Sequence, residues 1–193
     1  TGPTVTIPAW SKDSAALHSA IARMREATQG ADSTTARAGA RKSWSNERGD
    51  AGLRIEPRDV ADSYELARVV PLLAGAADSA LVDLGGLFLW VGPETKRSVG
   101  IADPGNALEP VAGVELRSGA ISTVSGRGER RAITVLAPTA FQAAAWSSAL
   151  FSLGCEKALA QAGRPGIRVV CGGSTGVGWR SGLPDPRVLP PWG

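Results

Sequence analysis

The 193-residue sequence is poor in the side chains that most often carry chemistry or cross-link a fold: two cysteines, one histidine, one tyrosine and one methionine. Cys155 and Cys171 are too few for a disulfide framework or a zinc site. Both stand beside apolar segments, where a free thiol behaves as a small hydrophobe, so they are expected to be reduced core residues. There is no marked charge excess. The 21 Lys and Arg face 18 Asp and Glu, a formal net charge of +3, and the basic residues are scattered instead of forming a phosphate-neutralising stripe. Nucleic acid is therefore not an expected partner. Nothing approaches the roughly 18 consecutive apolar residues of a membrane span, and no charged-then-apolar leader opens the chain, so no membrane partner is expected. The chain begins at Thr1 and not at Met, which leaves room for a removed leader or upstream segment; the expected location is cytoplasmic.

What is present points to one folded unit. Hydrophobic residues make up 43% and charged residues 20%, a globular balance, and the length suits one core and is short for two. A single domain is expected over 1–182, followed by a Pro-rich extended tail over 183–193 that Trp192 can pin down. From Thr4 to Ile7 β-formers alternate and stop at Pro8. Asp13 or Ser14 can then cap a helix whose Leu17, Ile21 and Met24 share one face. His18 lies one position off that stripe and reads as a helix-flank histidine without catalytic work. From Gln29 to Asp50 the residues are Gly, Ser, Thr, Ala and Arg with no apolar period, and a long mobile loop is expected over 29–50, anchored by Trp44. A short strand from Leu53 to Ile55 leads through Pro57 to a helix capped by Asp59. Val60, Tyr64 and Ala67 share its face, Pro71 strains its last turns, and it ends near Gly75.

Apolar runs of strand length follow: Ala80 to Leu84, Leu87 to Val91, Ser98 to Ala102, Val114 to Arg117, Ala120 to Val124 and Ile133 to Ala137. Between the last two, Arg127, Arg130 and Arg131 with Glu129 among them suit either an anion site or a solvated turn. Pro138 and Thr139 open another helix, with Phe141, Ala145 and Ser148 on one face and an end at Gly154. A short helix from Glu156 to Ala162 and a buried strand from Ile167 to Val170 come next. Gly172 to Gly178 lacks the Gly-Lys-Ser/Thr ending of a phosphate loop and reads as a turn. Runs of strands bounded by helices make the expected class α+β, a mainly antiparallel sheet packed with helices.

The order of motifs is recognisable. Ala80-Leu-Val-Asp-Leu-Gly-Gly86, Val99-Gly-Ile-Ala-Asp-Pro104, Ala120-Ile-Ser-Thr-Val-Ser-Gly126 and Ala144-Ala-Trp-Ser-Ser-Ala-Leu-Phe151 follow one another, with Gly2-Pro-Thr-Val5 and Ala61-Asp-Ser-Tyr64 upstream. In that order they resemble the ApbE family, the FAD:protein FMN transferases. Those proteins carry a Leu-Gly-Gly turn, a Val-Gly-Ile-x-Asp-Pro strand, an Ala-x-Ala-Thr-Ser-Gly strand and an Asp-Ala-x-x-Thr-Ala-Leu-Phe helix. The resemblance implies an ApbE-like (T-fold-type) architecture, truncated at the N-terminus relative to the family. It also implies a cleft for FAD, a Mg²⁺ on its pyrophosphate, and transfer of FMN to a Thr or Ser of a target protein. A Leu-Gly-Gly turn itself answers only a strand end where a Cβ would clash.

The departures from the family pattern are concentrated where the resemblance places its chemistry. Magnesium asks for hard oxygen ligands, usually with one or two carboxylates. The family's last helix supplies an Asp and a Thr four residues apart; this chain has Ala144 and Ser148. The family's Lys before the Tyr is Asp62, its Gly is Ser63, the Asp after Leu-Gly-Gly is Leu87, and a further Asp is Ala67. Its His-Ile-Ile-Asp-Pro segment is missing, since Arg130-Arg-Ala-Ile-Thr134 passes straight into Val135-Leu-Ala-Pro138. With those losses, the resemblance implies that FMN transfer is gone and that no metal ligands remain.

The reading that follows is a repurposed, metal- and flavin-independent enzyme acting on a small aromatic metabolite, with acid/base condensation or cyclisation of the Pictet-Spengler type as one chemistry. Asp62, Tyr64, Glu65 and Glu129 are its acid/base candidates. Ser63, Gly85, Gly86, Trp90, Thr123, Ser125, Gly126, Trp146 and Ser148 are the candidates for binding substrate or flavin. Asp62 and Glu65 equally suit ordinary first-turn acids favoured by the helix dipole. Six tryptophans beside one tyrosine make Trp90 and Trp146 either stacking platforms or core. No cofactor is expected on this reading. The alternative keeps the family function, with FAD and Mg²⁺. A second alternative is a non-catalytic subunit, a homo-oligomer or a partner chain covering a sheet edge.

Overall fold

A computed structural model describes residues 5–6, 9–10, 13–29, 34–47, 53–57, 60–92, 97–103, 106–116, 119–126, 131–161, 166–173, 176–181 and 188–189. Two short strands, β1 (Val5–Thr6) and β2 (Ala9–Trp10), open the chain. Helix α1 (Ser14–Gln29) starts at Asp13, whose Oδ1 accepts the Ala16 amide N–H at 3.0 Å and satisfies one of the donors that a first turn leaves unpaired. Leu17 and Met24 are buried and Ile21 packs against them, as the spacing predicts. His18 is exposed, and its Nδ1 is bonded to the Ser14 carbonyl at 2.6 Å.

The segment expected as a mobile loop contains a helix, α2 (Thr34–Glu47). Its buried stripe is Ala36, Ala40 and Trp44, one residue every four, at 0%, 0% and 4% exposure. Two of the three are alanines, so along that part of the stripe the helix can approach its neighbours closely, with Trp44 as the one large side chain of the stripe. The Trp44 indole N–H donates to the Leu53 carbonyl at 3.2 Å. Leu53 to Ile55, expected as a strand, runs outside both sheets. Helix α3 (Ala61–Ala74) has Val60 at its N-cap with no side-chain cap; Asp59, the expected cap, lies outside the described residues. The helix ends at Gly75 as expected, with Pro71 inside its last turn.

The remaining elements are β3 (Ser79–Leu84), β4 (Leu87–Val91), β5 (Arg97–Asp103), β6 (Asn106–Leu116), β7 (Gly119–Ser125), β8 (Arg131–Ala137), α4 (Ala140–Phe151), α5 (Cys155–Ala160), β9 (Arg168–Gly173), β10 (Gly176–Ser181) and β11 (Val188–Leu189). Among the described residues all pairings are antiparallel. The main sheet runs β1-β3-β4-β7-β8-β9-β10, with β2 also on β3, and a second sheet runs β11-β6-β5. The glycine-rich stretch expected as a turn is mostly strand, the β9–β10 hairpin. The Pro-rich end, expected as an extended tail, contributes β11, which pairs Val188 and Leu189 with Val114 and Gly113 of β6.

Alternation along the strands divides the main sheet into two buried faces. Ala80, Val82, Leu84, Leu87, Leu89, Ile133, Val135 and Val169 join the helices in one core. Trp90, Ile121, Leu136 and Val170 point the other way and meet Ile101, Val114 and Leu116 of the β5–β6 hairpin. The result is three layers: helices, main sheet, small sheet. Helix α4 is the central helix, capped by Thr139, whose side chain accepts the Gln142 N–H at 3.2 Å.

Cys155, in the first turn of α5, and Cys171, on β9, are joined as a disulfide with Cα atoms 5.6 Å apart, which corrects the expectation of free thiols. The strand passes beneath the helix, a proximity that chain spacing does not reveal. Closing a loop across a separation of 16 residues restricts the unfolded chain. Reduction is therefore expected to lower the unfolding free energy by about 3 kcal/mol. Guanidinium melts with and without dithiothreitol measure it, and coincident curves would contradict the cross-link's role.

Candidate functional site

The first turns of α3 carry Asp62, Ser63, Tyr64 and Glu65. Asp62 is half-buried in the first turn. Ser63 is 3% exposed, and its Oγ donates to the Val60 carbonyl at 2.8 Å, supporting its own turn. The Tyr64 ring meets Phe141 of α4 edge-on, with centroids 5.7 Å apart, and the Arg68 guanidinium lies 5.9 Å from its centroid. A Cβ built at Gly39 of α2 would lie 2.5 Å from the Tyr64 ring, so α2 needs glycine there to approach. Glu65 pairs with Arg68 one turn on, at 3.1 Å. Tyr64 thus joins three helices, and Ser63 and Glu65 are engaged within α3. Glu129, the fourth acid/base candidate, lies outside the described residues.

Trp90 and Trp146, read from the sequence as either stacking platforms or core, are interior and on opposite faces of the main sheet. Trp146 is 1% exposed and packs edge-on against Trp44 at 4.9 Å, in the helix-side core. Trp90 lies in the core between the sheets. No single flat ligand can stack on both. Ser148 is half-buried on α4, next to Ser147, which hydrogen-bonds to Ser122 of β7 at 2.9 Å and to the Ala144 carbonyl at 3.0 Å. That buried bridge between sheet and helix involves none of the three hydroxyls singled out from the motifs of β7 and α4, those of Thr123, Ser125 and Ser148.

The turn and strand-end candidates do come together. Gly85 and Gly86 join β3 to β4 with φ of +58° and +97°, the positive pair that a two-residue type I′ turn demands. A Cβ at Gly85 would meet nothing within 4 Å, so backbone conformation, and not the expected clash, calls for glycine. The Gly86 carbonyl accepts the Thr123 N–H at 3.0 Å, and Thr123 Oγ1 is hydrogen-bonded to Thr134 Oγ1 at 2.9 Å. Ser125 is exposed and Gly126 half-buried where β7 ends. Asp83, two residues before Gly85, has a buried Oδ1 without a hydrogen-bond partner among the described residues. Sequence reasoning missed it; the available signal is a carboxylate interrupting the apolar run that leads into the turn.

A magnesium ion fits these residues poorly. Ala144 is 9% exposed and offers a methyl group where the resemblance asks for a carboxylate, and its carbonyl is already bonded to Ser147. Among the described residues no group of three or more His, Cys, Asp or Glu could hold a metal.

No protein-family model matches the sequence, and no curated protein matches it. Solved structures do. The ApbE protein of Thermotoga maritima superposes with a TM-score of 0.55 at 18% identity, over 90% of this chain and 78% of that one. A mutant form of the flavin transferase ApbE of Vibrio cholerae superposes with a TM-score of 0.51 at 15% identity, over 93% and 78%. The fold is ApbE-like. In this ApbE-like fold the Gly85–Gly86 turn and the end of β7 keep a polar edge, while Ala144, where the resemblance calls for a carboxylate, is buried and apolar.

Because Tyr64 and Gly39 are packed in contact, Gly39→Ala is expected to destabilise the protein by about 1–3 kcal/mol through overpacking. In a Tyr64→Leu background the cost should shrink, since the two changes share one contact. Urea denaturation of the four proteins measures the coupling; strictly additive losses would refute the packing role given to Tyr64.

Proposed function

We propose that this chain uses the ApbE-like fold to bind a small molecule and does not transfer FMN by a magnesium-dependent route. The carrying observation is Ala144, an apolar, almost fully buried residue at the position where the resemblance calls for the metal's carboxylate. Burying a charge there without a partner would be costly, so the packing and the missing ligand agree. The binding edge is the Gly85–Gly86 turn with Thr123, Ser125 and Gly126, and Asp83 behind it supplies an acceptor.

The finer reading, a catalyst of condensation or cyclisation on an aromatic metabolite, loses support because Tyr64, Ser63, Glu65, Trp90 and Trp146 are occupied in packing and local bonds. Transferase activity rests on likeness of fold, which does not fix chemistry. Among the described residues no helix is long and apolar enough to cross a membrane. The Cys155–Cys171 cross-link supports an oxidising compartment in place of the cytoplasmic expectation.

Incubation with FAD, a threonine-containing acceptor and either Mg²⁺ or EDTA tests the proposal by mass spectrometry and thermal shift. No FMN adduct is expected, and any stabilisation by FAD should be equal with Mg²⁺ and with EDTA, because mass action needs only a binding edge. A magnesium-dependent adduct would restore the transferase.

A further inference from the structure

On the face of the main sheet that meets the small sheet, Asp83 of β3 stands in register with Phe88 of β4, and Phe88 in register with Ile121 of β7. Ile121 is 1% exposed and belongs to the core beneath the β5–β6 hairpin. Phe88 and Asp83 are half-buried, and among the described residues Phe88 joins neither core. Along this row the hairpin's cover, as far as the described residues form it, ends between Ile121 and Asp83. Asp83 has one carboxylate oxygen, Oδ1, withdrawn from solvent with no hydrogen-bond partner among the described residues. An acceptor in that state is costly unless a donor reaches it. The preceding position of β4 is Gly86, where a Cβ would meet only the Thr123 carbonyl, at 3.4 Å, among the described residues. The missing side chain leaves space beside Phe88, bordered by Thr123 of β7.

We infer that this corner binds an organic ammonium, a protonated amine that donates to Asp83 while its apolar body lies against Phe88. This ligand class rests on the binding edge proposed above, of which Asp83 is the acceptor. A carboxylate accepts a charge-assisted N–H bond more strongly than a neutral one. An aromatic ring attracts the same cation through its face when the charge lies within about 6 Å of the centroid. Directly opposite residues of an antiparallel pair have Cβ atoms about 4.5–5.5 Å apart, so one small cation can touch both side chains. Thr123 Oγ1, bonded to Thr134 Oγ1 at 2.9 Å, keeps a lone pair for a donor elsewhere on the ligand. An anionic ligand would meet the Asp83 carboxylate as a like charge, so the corner discriminates by sign.

Isothermal titration and thermal shift of the whole protein with 2-phenylethylamine test this, with its neutral isostere 2-phenylethanol and the anion phenylacetate as controls. The amine is expected to bind and to raise the melting temperature. The alcohol should bind about tenfold or more weakly, because it offers no charge-assisted bond, and phenylacetate should not bind. Asp83→Asn keeps the side chain's shape and removes its charge, so the amine should bind this variant about tenfold or more weakly while the alcohol changes little. Absence of amine binding at about 5 mM, at which even a weak site would show linkage, overturns the inference. So does an alcohol that binds as tightly as the amine, or an undiminished amine affinity in Asp83→Asn. If that variant does not fold, the comparison of amine and alcohol on the unaltered protein decides alone. Each of these failures removes the ligand class and leaves the binding edge standing, whereas a magnesium-dependent FMN adduct contradicts the edge's proposed role whatever the amines do.

Discussion

Helix α4 lies against β7 and β8 with Ala140, Ala143, Ala144, Ala145 and Ala149 all buried, and on its other sides it meets α2, α3 and α5. That close fit is the constraint on which the rest depends. Small side chains let the helix axis approach the sheet, and Trp146 fills the space left toward α2 by meeting Trp44 edge-on. A carboxylate at position 144 would have to be buried and paired, and nearby polar groups already serve one another through Ser147 and Ser122. The alanine at position 144 and the tightness of this core are therefore one fact seen from two sides.

The same layering explains why the candidate residues form no single constellation. A strand sends alternate side chains to opposite faces, so Trp90 enters the core beneath the small sheet while its neighbours Leu89 and Val91 enter the core beneath the helices. The Tyr64 segment belongs to the helix layer, and Thr123, paired with Thr134, belongs to the face with the small sheet. What survives as a coherent polar edge is the part built from backbone: a turn with two positive φ angles and a strand end bonded to it.

Much of the fold was legible in the sequence. Caps and apolar spacing marked α1, α3 and α4 because their signals are local: Asp13 and Thr139 bond within one turn, and Leu17, Ile21 and Met24 are large enough to show a period. Helix α2 was not legible, since its stripe is two alanines and a tryptophan and its closest neighbour is held by a glycine. The Cys155–Cys171 pair and the β11–β6 pairing depend on contacts between distant segments, which spacing cannot express. The turn was legible at Gly85 and Gly86, where conformation dictates residue type. At Trp90 and Trp146 the sequence left stacking and core open, because an aromatic residue on a strand or helix looks the same in sequence whether it faces a cleft or a core.

The buried face of α4 either excludes a divalent cation or holds one. Crystals grown with FAD and Mn²⁺, with anomalous diffraction recorded at the manganese edge, address this directly. The packing of Ala144 predicts no manganese peak between α4 and β7. A peak there, beside Ala144 and Ser148 and joined to a pyrophosphate, would contradict it.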